Sequence, residues 1–471
     1  MNEKIIKKSV IEESLPMEWS ENLVPEIDGL LKKTKSKLVV LDDDPTGTQT
    51  VHDLPILTEW STNILEEEFN NDEYNAFYIL TNSRAMAEEK ALALNNEIAE
   101  NLKEAAKNTD SSFALVSRGD STLRGHFLKE VDALQEALQE KFDGWILFPY
   151  FLEGGRYTAN DIHYVREGDD FVPAGLTPFA DDHTFGYKSS NLKEWVEEKT
   201  NGNVKKEDVV SITLDDIRKA GPDKVKEKLM NLSNSQICIV NAFTYKDVEV
   251  FVKGLLEAEG SGKKFLYRTS SSFVKTRAGN ISRNLLSKEE LNVNKGGGGL
   301  LIVGSYVPKT TKQVQTLINE TDIESIEIDV SLLIDEETRG NEIKSIAKKV
   351  DSILEKEKDV AIYTSRKVIK GDEAKSSLAK GNFISDGLIE ILHSIESIPR
   401  YVIAKGGITS SDIATKGIGI KRAVVMGQIL EGIPVWKVGK EGRYPDSSYI
   451  VFPGNVGDEH ALADAVKILS K

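Results

Sequence analysis

The residues best suited to chemistry in this chain are charged, and they stand directly behind short apolar runs. Ser117-Arg118-Gly119-Asp120-Ser121-Thr122-Leu123-Arg124-Gly125-His126 follows Phe113-Ala114-Leu115-Val116. Guanidinium groups offer paired donors in a planar fork, so Arg118 and Arg124 on one loop suit a carboxylate or a phosphate. The same residues would also serve a helix start, with Asp120, Ser121 or Thr122 as cap and the arginines in solvent ion pairs. Arg84 and Arg156 stand behind two other apolar runs, and that repetition favours a convergent anion site. Leu38-Val39-Val40-Leu41 ends in Asp42-Asp43-Asp44-Pro45-Thr46-Gly47. Three adjacent carboxylates repel one another unless a cation, a proton or a basic neighbour offsets them. Taken alone the segment reads equally as a solvated acidic turn; the arginines are what make it a site.

A second cluster runs from Lys405 to Asp412, where Gly406-Gly407-Ile408-Thr409-Ser410-Ser411 follows the run Tyr401-Val402-Ile403-Ala404. Glycines ahead of a helix start free backbone N–H groups for an anion such as a nucleotide's phosphates, although an ordinary strand-to-helix turn uses the same residues. Ser305, behind Leu300-Leu301-Ile302-Val303, and Pro453-Gly454-Asn455-Val456-Gly457 are two further loops of this kind. No Gly-x4-Gly-Lys-Ser/Thr and no Gly-x-Gly-x-x-Gly occurs, which counts against a P-loop enzyme and a standard dinucleotide binder. The histidines show no metal-ligand spacing, and only His126 and His163 stand near candidate site residues.

The elements that must position these groups alternate. Apolar strands are expected at 38–41, 76–80, 113–116 and 145–148, each ending in polar residues, with helices over 85–107 and 127–140. Residues 159–190 read as a long loop or small hairpin. Strands at 208–212, 236–240 and 264–267 then alternate with helices at 221–232 and 245–258. Beyond Lys295-Gly296-Gly297-Gly298-Gly299, which reads as a hinge, strands fall at 300–303, 324–330, 359–364, 401–404, 421–426, 433–437 and 448–452. Helices are expected near 309–319, 341–357, 382–396 and 459–470. Such alternation predicts an α/β protein of two domains with largely parallel sheets, ligands binding at the C-terminal ends of strands and the active site in the cleft between the domains. The expected division is a helical lead-in over 1–36, one α/β domain over 37–292 and a second over 293–471.

A length of 471 residues, a hydrophobic share of 39% and a charged share of 29% describe an ordinary globular chain of more than one domain. The net charge of −16 argues against nucleic acid and anionic membrane as partners. A single cysteine, Cys238, sits in an apolar run and is expected to pack. With no signal peptide and no apolar stretch of about 20 residues, the expectation is a soluble, cytoplasmic protein. A homo-oligomer is compatible with this composition.

On Asp43-Asp44-Pro45-Thr46-Gly47, Arg118-Gly119-Asp120-Ser121-Thr122-Leu123-Arg124-Gly125 and Gly155-Arg156, the chain resembles the four-carbon acid sugar kinase family. Gly304-Ser305, Gly406-Gly407-Ile408-Thr409 and the Pro453-Gly454-Asn455 turn extend the likeness to the second half, over roughly residues 37–470. The resemblance implies an N-terminal domain that binds a sugar acid, a C-terminal domain that binds ATP, and phosphorylation of a hydroxyl with Mg²⁺. It implies catalytic roles for Asp43 and Asp44, either of which would serve as the base. It implies substrate binding by Arg84, Arg118, Asp120, Ser121, Arg124, Gly155 and Arg156. Contacts to ATP would come from Ser305, Gly406, Gly407, Ile408, Thr409 and Gly454. No metal ligand is assigned: Mg²⁺ would arrive with ATP, within reach of the Asp42–Asp44 cluster. Pro45, where the family has a hydrophobic residue, and the extra acid Asp42 depart from the pattern. With Thr48–Asp53 and residues 1–35 they suggest a divergent branch and bear on which acid is used. Two other functions remain consistent with the residues, a metal-dependent transferase or hydrolase acting on a small acid and a non-catalytic nucleotide or metabolite sensor.

Overall fold

Val39, Val40, Tyr78, Ile79 and Val116 are fully buried, so their strands carry apolar residues on both faces. A strand of that kind needs cover on both sides, which parallel strands joined by helices provide. The computed structural model describes residues 4–34, 36–280, 282–291, 296–305, 307–365, 374–454 and 456–470, with the backbone alone for 374–382. By internal contacts the chain divides into one unit of residues 1–51 and 59–282 and another of residues 52–58 and 283–471.

The first unit is built on seven parallel strands. In spatial order they are Val210–Ile212, Gln236–Val240, Gly144–Phe148, Phe265–Thr269, Ser112–Arg118, Ser36–Asp42 and Ala76–Leu80. The first of these strands in sequence lies between the next two, so the chain goes to one of its sides and then crosses back to the other. Such a reversal opens a crevice at the C-terminal strand ends, where the ligand-type residues stand. The helix Glu88–Asn108 shows how cover is achieved: Ala91, Asn95, Ile98, Ala99, Leu102, Ala105 and Ala106 form its buried face, at spacings of three and four, and Glu88 and Glu89 complement the dipole of its first turn.

The stretch read as a loop or small hairpin is a separate antiparallel sheet. Arg156–Ala159, Ile162–Glu167 and Asp170–Pro173 pair in turn, the first two joined through Asn160 and Asp161, both at positive φ. The helical lead-in needs correction on this account. Ile6–Lys7 is an edge strand of that small sheet, paired with Phe171 and Asp170, while Lys8–Ser14 and Val24–Lys33 are helical as expected.

In the second unit Ser448–Phe452, Val402–Lys405, Leu300–Val303, Val360–Thr364 and Glu324–Ile328 are parallel. Leu54–Leu57, Arg422–Leu430 and Ile433–Val438 extend the sheet in antiparallel order from Ser448–Phe452. Leu54–Leu57 is why residues 52–58 belong here rather than to the domain around them. The boundary expected at 292/293 moves for a related reason: Leu286 N–H donates to Gln428 O at 2.7 Å, tying the chain from Arg283 onward into the second unit. Nor do the described glycines form a hinge. Gly299 N–H donates to Asp359 Oδ1 at 2.6 Å, Arg400 N–H donates to Gly298 O at 2.8 Å, and a Cβ on Gly298 would lie 1.6 Å from Lys358 O. These glycines permit backbones to approach closely; Lys295 lies outside the described residues. Among the described residues no helix is long and apolar enough to cross a membrane.

The helix Tyr245–Gly260 is anchored by a buried ion pair. Asp247 accepts from Arg218 Nε at 2.7 Å and Nη2 at 2.8 Å, and from Thr244 N–H at 2.9 Å within the helix's capping box. Removing one partner strands the other charge. Asp247→Ala is expected to cost about 3–5 kcal/mol, read as a lower urea midpoint for the first unit's unfolding.

Candidate functional site

The first unit's site begins at Asp42, the last residue of its strand, whose side chain is wholly buried. Asp43 is nearly as buried, and the acids of this segment are surrounded by guanidiniums from neighbouring strand ends. Arg118 Nη1 lies 3.2 Å from Asp42 Oδ1 and 3.4 Å from Asp43 Oδ1. Its Nη2 donates to Ser271 Oγ at 3.2 Å, and Ser271 Oγ donates to Gly47 O at 3.1 Å. Arg84 bonds Asp44 directly and lies 3.8 Å from Asp43 Oδ1 and 3.6 Å from Asp120 Oδ1. Arg124 Nε donates to Asp120 Oδ2 at 2.7 Å and its Nη1 is 3.7 Å from Asp182.

Arg268 completes the set, and the sequence reading did not find it. Its Nη1 donates to Ser117 Oγ at 2.8 Å and faces Glu130 at 3.2 Å, while Nη2 lies 4.0 Å from Asp43 Oδ2. The signal was present in Phe265–Thr269, another apolar run ending in polar residues, but a strand ended at 267 leaves Arg268 out. Arg268 also accounts for two glycines of the 118–126 loop: a Cβ on Gly119 would meet its guanidinium carbon at 2.3 Å, and one on Gly125 its Nη2 at 2.6 Å.

Arg156 stands apart. It donates to Gly154 O, its Nε is buried without a partner, and among the described residues no carboxylate lies within ion-pair distance. It joins the site through an aromatic ring: Arg156 Cζ is 5.4 Å and Arg124 Cζ 5.1 Å from the centroid of Phe179. Gly155 serves the turn, donating to Leu152 O at 2.9 Å. Ser121 contributes its carbonyl, which accepts from His163 Nε2 at 2.7 Å. His163 Nδ1 then accepts from the Thr158 hydroxyl at 2.9 Å, and burial brings its pKa down to about 4. His163 is thus a neutral brace; His126 donates to Met86 O at 3.1 Å.

Burial and charge separate the three acids. Burial, reinforced by Asp43 and Asp44 against Arg118, pushes Asp42 up to about 7. Burial also raises Asp43, although Arg84, Arg118 and Arg268 oppose it. At Asp44 burial acts in the same direction but is outweighed by Arg84 and by hydrogen bonds from Thr46, so its carboxyl lies below the usual range. Asp42 Oδ2 and Asp43 Oδ2 are buried without hydrogen-bond partners.

In the second unit Ser305 is the meeting point. Thr310 Oγ1 donates to Ser305 Oγ at 3.1 Å and lies 3.4 Å from Gly454 O. A Cβ on Gly406 would stand 3.1 Å from Ser305 Cβ, one on Gly454 3.6 Å from Ser305 Oγ, and one on Gly304 2.2 Å from Thr409 Oγ1. Three strand ends therefore converge, bringing Ser305, Gly406, Thr409 and Gly454 together. Gly407 opens the short helix Gly407–Asp412, and Ile408 beside it is exposed. Asn455 lies outside the described residues. Lys405, buried beneath this convergence, donates to Pro453 O at 2.9 Å and lies 4.1 Å from the centre of the Phe452 ring. Burial, aided by Lys309, brings its pKa down to about 7.

The raised Asp42 has a measurable sign. Between its unfolded value near 3.8 and its folded value near 7 the native state holds the extra proton, so Asp42 subtracts stability as pH rises through that window. Thermal unfolding of Asp42→Asn against the parent from pH 5 to pH 8 is expected to show a flatter decline in the variant.

Residues 38–277 match the sugar-binding N-terminal domain and residues 300–462 the nucleotide-binding C-terminal domain. A D-erythronate kinase from Heliobacterium modesticaldum is 23% identical over 463 residues, covering 92% of this chain and 97% of that one. Among solved structures, a putative tRNA synthase from Salmonella typhimurium LT2 is similar at a TM-score of 0.68 and 15% identity, covering 91% of this chain and 98% of its own. A Haemophilus influenzae protein of the DUF1537 family gives 0.63 and 19%, with 92% and 100% covered. At those identities the two structures speak to the fold alone. The acid–arginine cluster lies within the sugar-binding match and the Ser305 convergence within the nucleotide-binding match, and the chain belongs to the four-carbon acid sugar kinase family.

Proposed function

We propose that the chain is an ATP-dependent kinase that phosphorylates a hydroxyl of a small, four-carbon-type sugar acid. The observation that carries this reading is the state of Asp43, a buried carboxylate with a raised pKa and one oxygen left without a hydrogen-bond partner, among three arginines at the ends of parallel strands. The similarity to a D-erythronate kinase supports the substrate class.

Phosphoryl transfer asks the protein for positioning and charge stabilisation. The substrate hydroxyl attacks the γ-phosphorus, the bond to the bridging oxygen breaks, ADP leaves with the electron pair, and the hydroxyl proton passes to Asp43. A base gains from a pKa raised towards the working pH. That favours Asp43 over Asp44, whose oxygens are engaged by Arg84 and Thr46. Arg84, Arg118 and Arg268 hold Asp43 in place and offset charge on the transferring group. Arg124 and Arg156 take the substrate carboxylate, with Asp120 fixing Arg124. Ser305, Gly406–Thr409 and Gly454 cradle the ATP phosphates.

The acids do not fit a protein-held magnesium ion. Asp42, Asp43 and Asp44 already face guanidiniums, and among the described residues no group of three or more His, Cys, Asp or Glu side chains is placed to hold a metal. Mg²⁺ is assigned to the nucleotide, whose phosphate charge it neutralises.

A coupled ADP-release assay over D-erythronate, other erythronates, threonates and 3-oxo-tetronates is expected to show ATP consumption only when an acid is present. No turnover across the panel would overturn the reading, and conversion of an acid without ATP would favour a hydrolase. With the best acid, Asp43→Asn is expected to lower kcat by about 100-fold or more. Asp44→Asn should act mainly on KM. The acid limb of the parent's kcat–pH profile should lie above the ordinary carboxylate range and vanish in Asp43→Asn.

A further inference from the structure

Phe179 belongs to none of the motifs above, yet it is where two otherwise separate arginines meet. Arg124 is held by Asp120 and Asp182; among the described residues Arg156 has no carboxylate within ion-pair distance and only the Gly154 carbonyl as acceptor. Both guanidinium carbons lie within 6 Å of the ring centroid, at 5.1 and 5.4 Å, where a ring's negative face attracts a cation. The two charges repel, and burial together with Arg124 depresses Arg156. The ring's attraction opposes that repulsion.

The loop that carries Phe179 does not depend on it for its shape. Thr177 Oγ1 donates to Ala174 O at 2.7 Å, Ala180 N–H to Thr177 O at 3.0 Å and Tyr187 N–H to Ala180 O at 3.1 Å. Tyr187 Oη then donates to Thr122 O at 2.8 Å, fastening the loop to the segment that holds Asp120 and Arg124. Phe179 itself is only half-buried. Its backbone is placed by other residues, and its ring rests on guanidiniums rather than in a core.

We propose that Phe179 is a positioning residue for substrate affinity: its ring holds Arg124 and Arg156 as one carboxylate-binding pair, while Asp43 and the nucleotide site work independently of it. The inference rests on the kinase reading. It predicts a division of effects. Loss of the ring loosens the grip on the acid, and leaves the chemistry of the bound complex and the affinity for ATP in place.

The test is steady-state kinetics of Phe179→Leu and Phe179→Tyr in the full chain, on ATP and the acid of the panel that the parent turns over fastest. Phe179→Leu removes the aromatic face; Phe179→Tyr keeps it. The expected result for Phe179→Leu is a KM for the acid raised by about tenfold or more, roughly 1.4 kcal/mol, with kcat and KM for ATP within about twofold of the parent. Phe179→Tyr is expected to stay close to the parent in all three. A Phe179→Leu enzyme with an unchanged KM for the acid overturns the proposal. So does one in which kcat and both KM values worsen together, or a Phe179→Tyr enzyme as impaired as Phe179→Leu. Failure of the parent on every acid overturns the kinase reading, and the inference with it.

Discussion

Three consecutive carboxylates at the inner end of a buried strand are the constraint on which the first unit's site depends. An isolated buried carboxylate either takes up a proton or finds a cation. Here guanidiniums arrive from the ends of neighbouring strands, Arg118 and Arg268 from the same side of the Asp42 strand and Arg84 from the other. Parallel topology makes this economical, because every strand delivers its first loop residue to the same edge of the sheet. Each arginine bridges two acids or an acid and a hydroxyl, so the cluster is one network rather than a set of pairs.

That network gives neighbouring acids different chemistry. Asp42, with no exposed surface, resists ionisation; Asp44, bonded to Arg84 and Thr46, stays charged; Asp43 lies between, with an oxygen to spare. Differentiation of like groups by environment is a common route to an acid or base at neutral pH. The second unit solves a different problem. Its site is assembled from hydroxyls, glycines and backbone groups, and its buried cation, Lys405, rests on backbone carbonyl and ring rather than on acid.

Much of this was legible in the residues. The apolar runs behind which Asp42, Arg84, Arg118 and Lys405 stand are strands, and the rule that ligand residues follow such strands led to both candidate clusters. What escaped had physical reasons. Arg268 lay one residue past a strand judged too short. Phe179 sits in a stretch with no periodicity, and its relation to Arg124 and Arg156 exists only once the 156–173 sheet has folded. The glycines at 296–299 look the same in sequence whether they loosen a chain or let backbones pass closely, and the contacts of Gly298 and Gly299 decide for the second. Leu54–Leu57 is absent from the strands expected above, since nothing nearby announces a partner at Arg422–Leu430.

That last pairing has a consequence for how the protein is made. The strand Leu54–Leu57 leaves the ribosome long before Arg422–Leu430, the strand it pairs with. Contacts of such long range form slowly, because the closure of a large loop precedes any gain from them. The first unit has all its residues once Ser282 has emerged, whereas residues 52–58 wait for the later residues of the second unit. Pro55 within Leu54–Leu57 has no N–H to donate, so that strand has fewer backbone donors to offer than its length suggests.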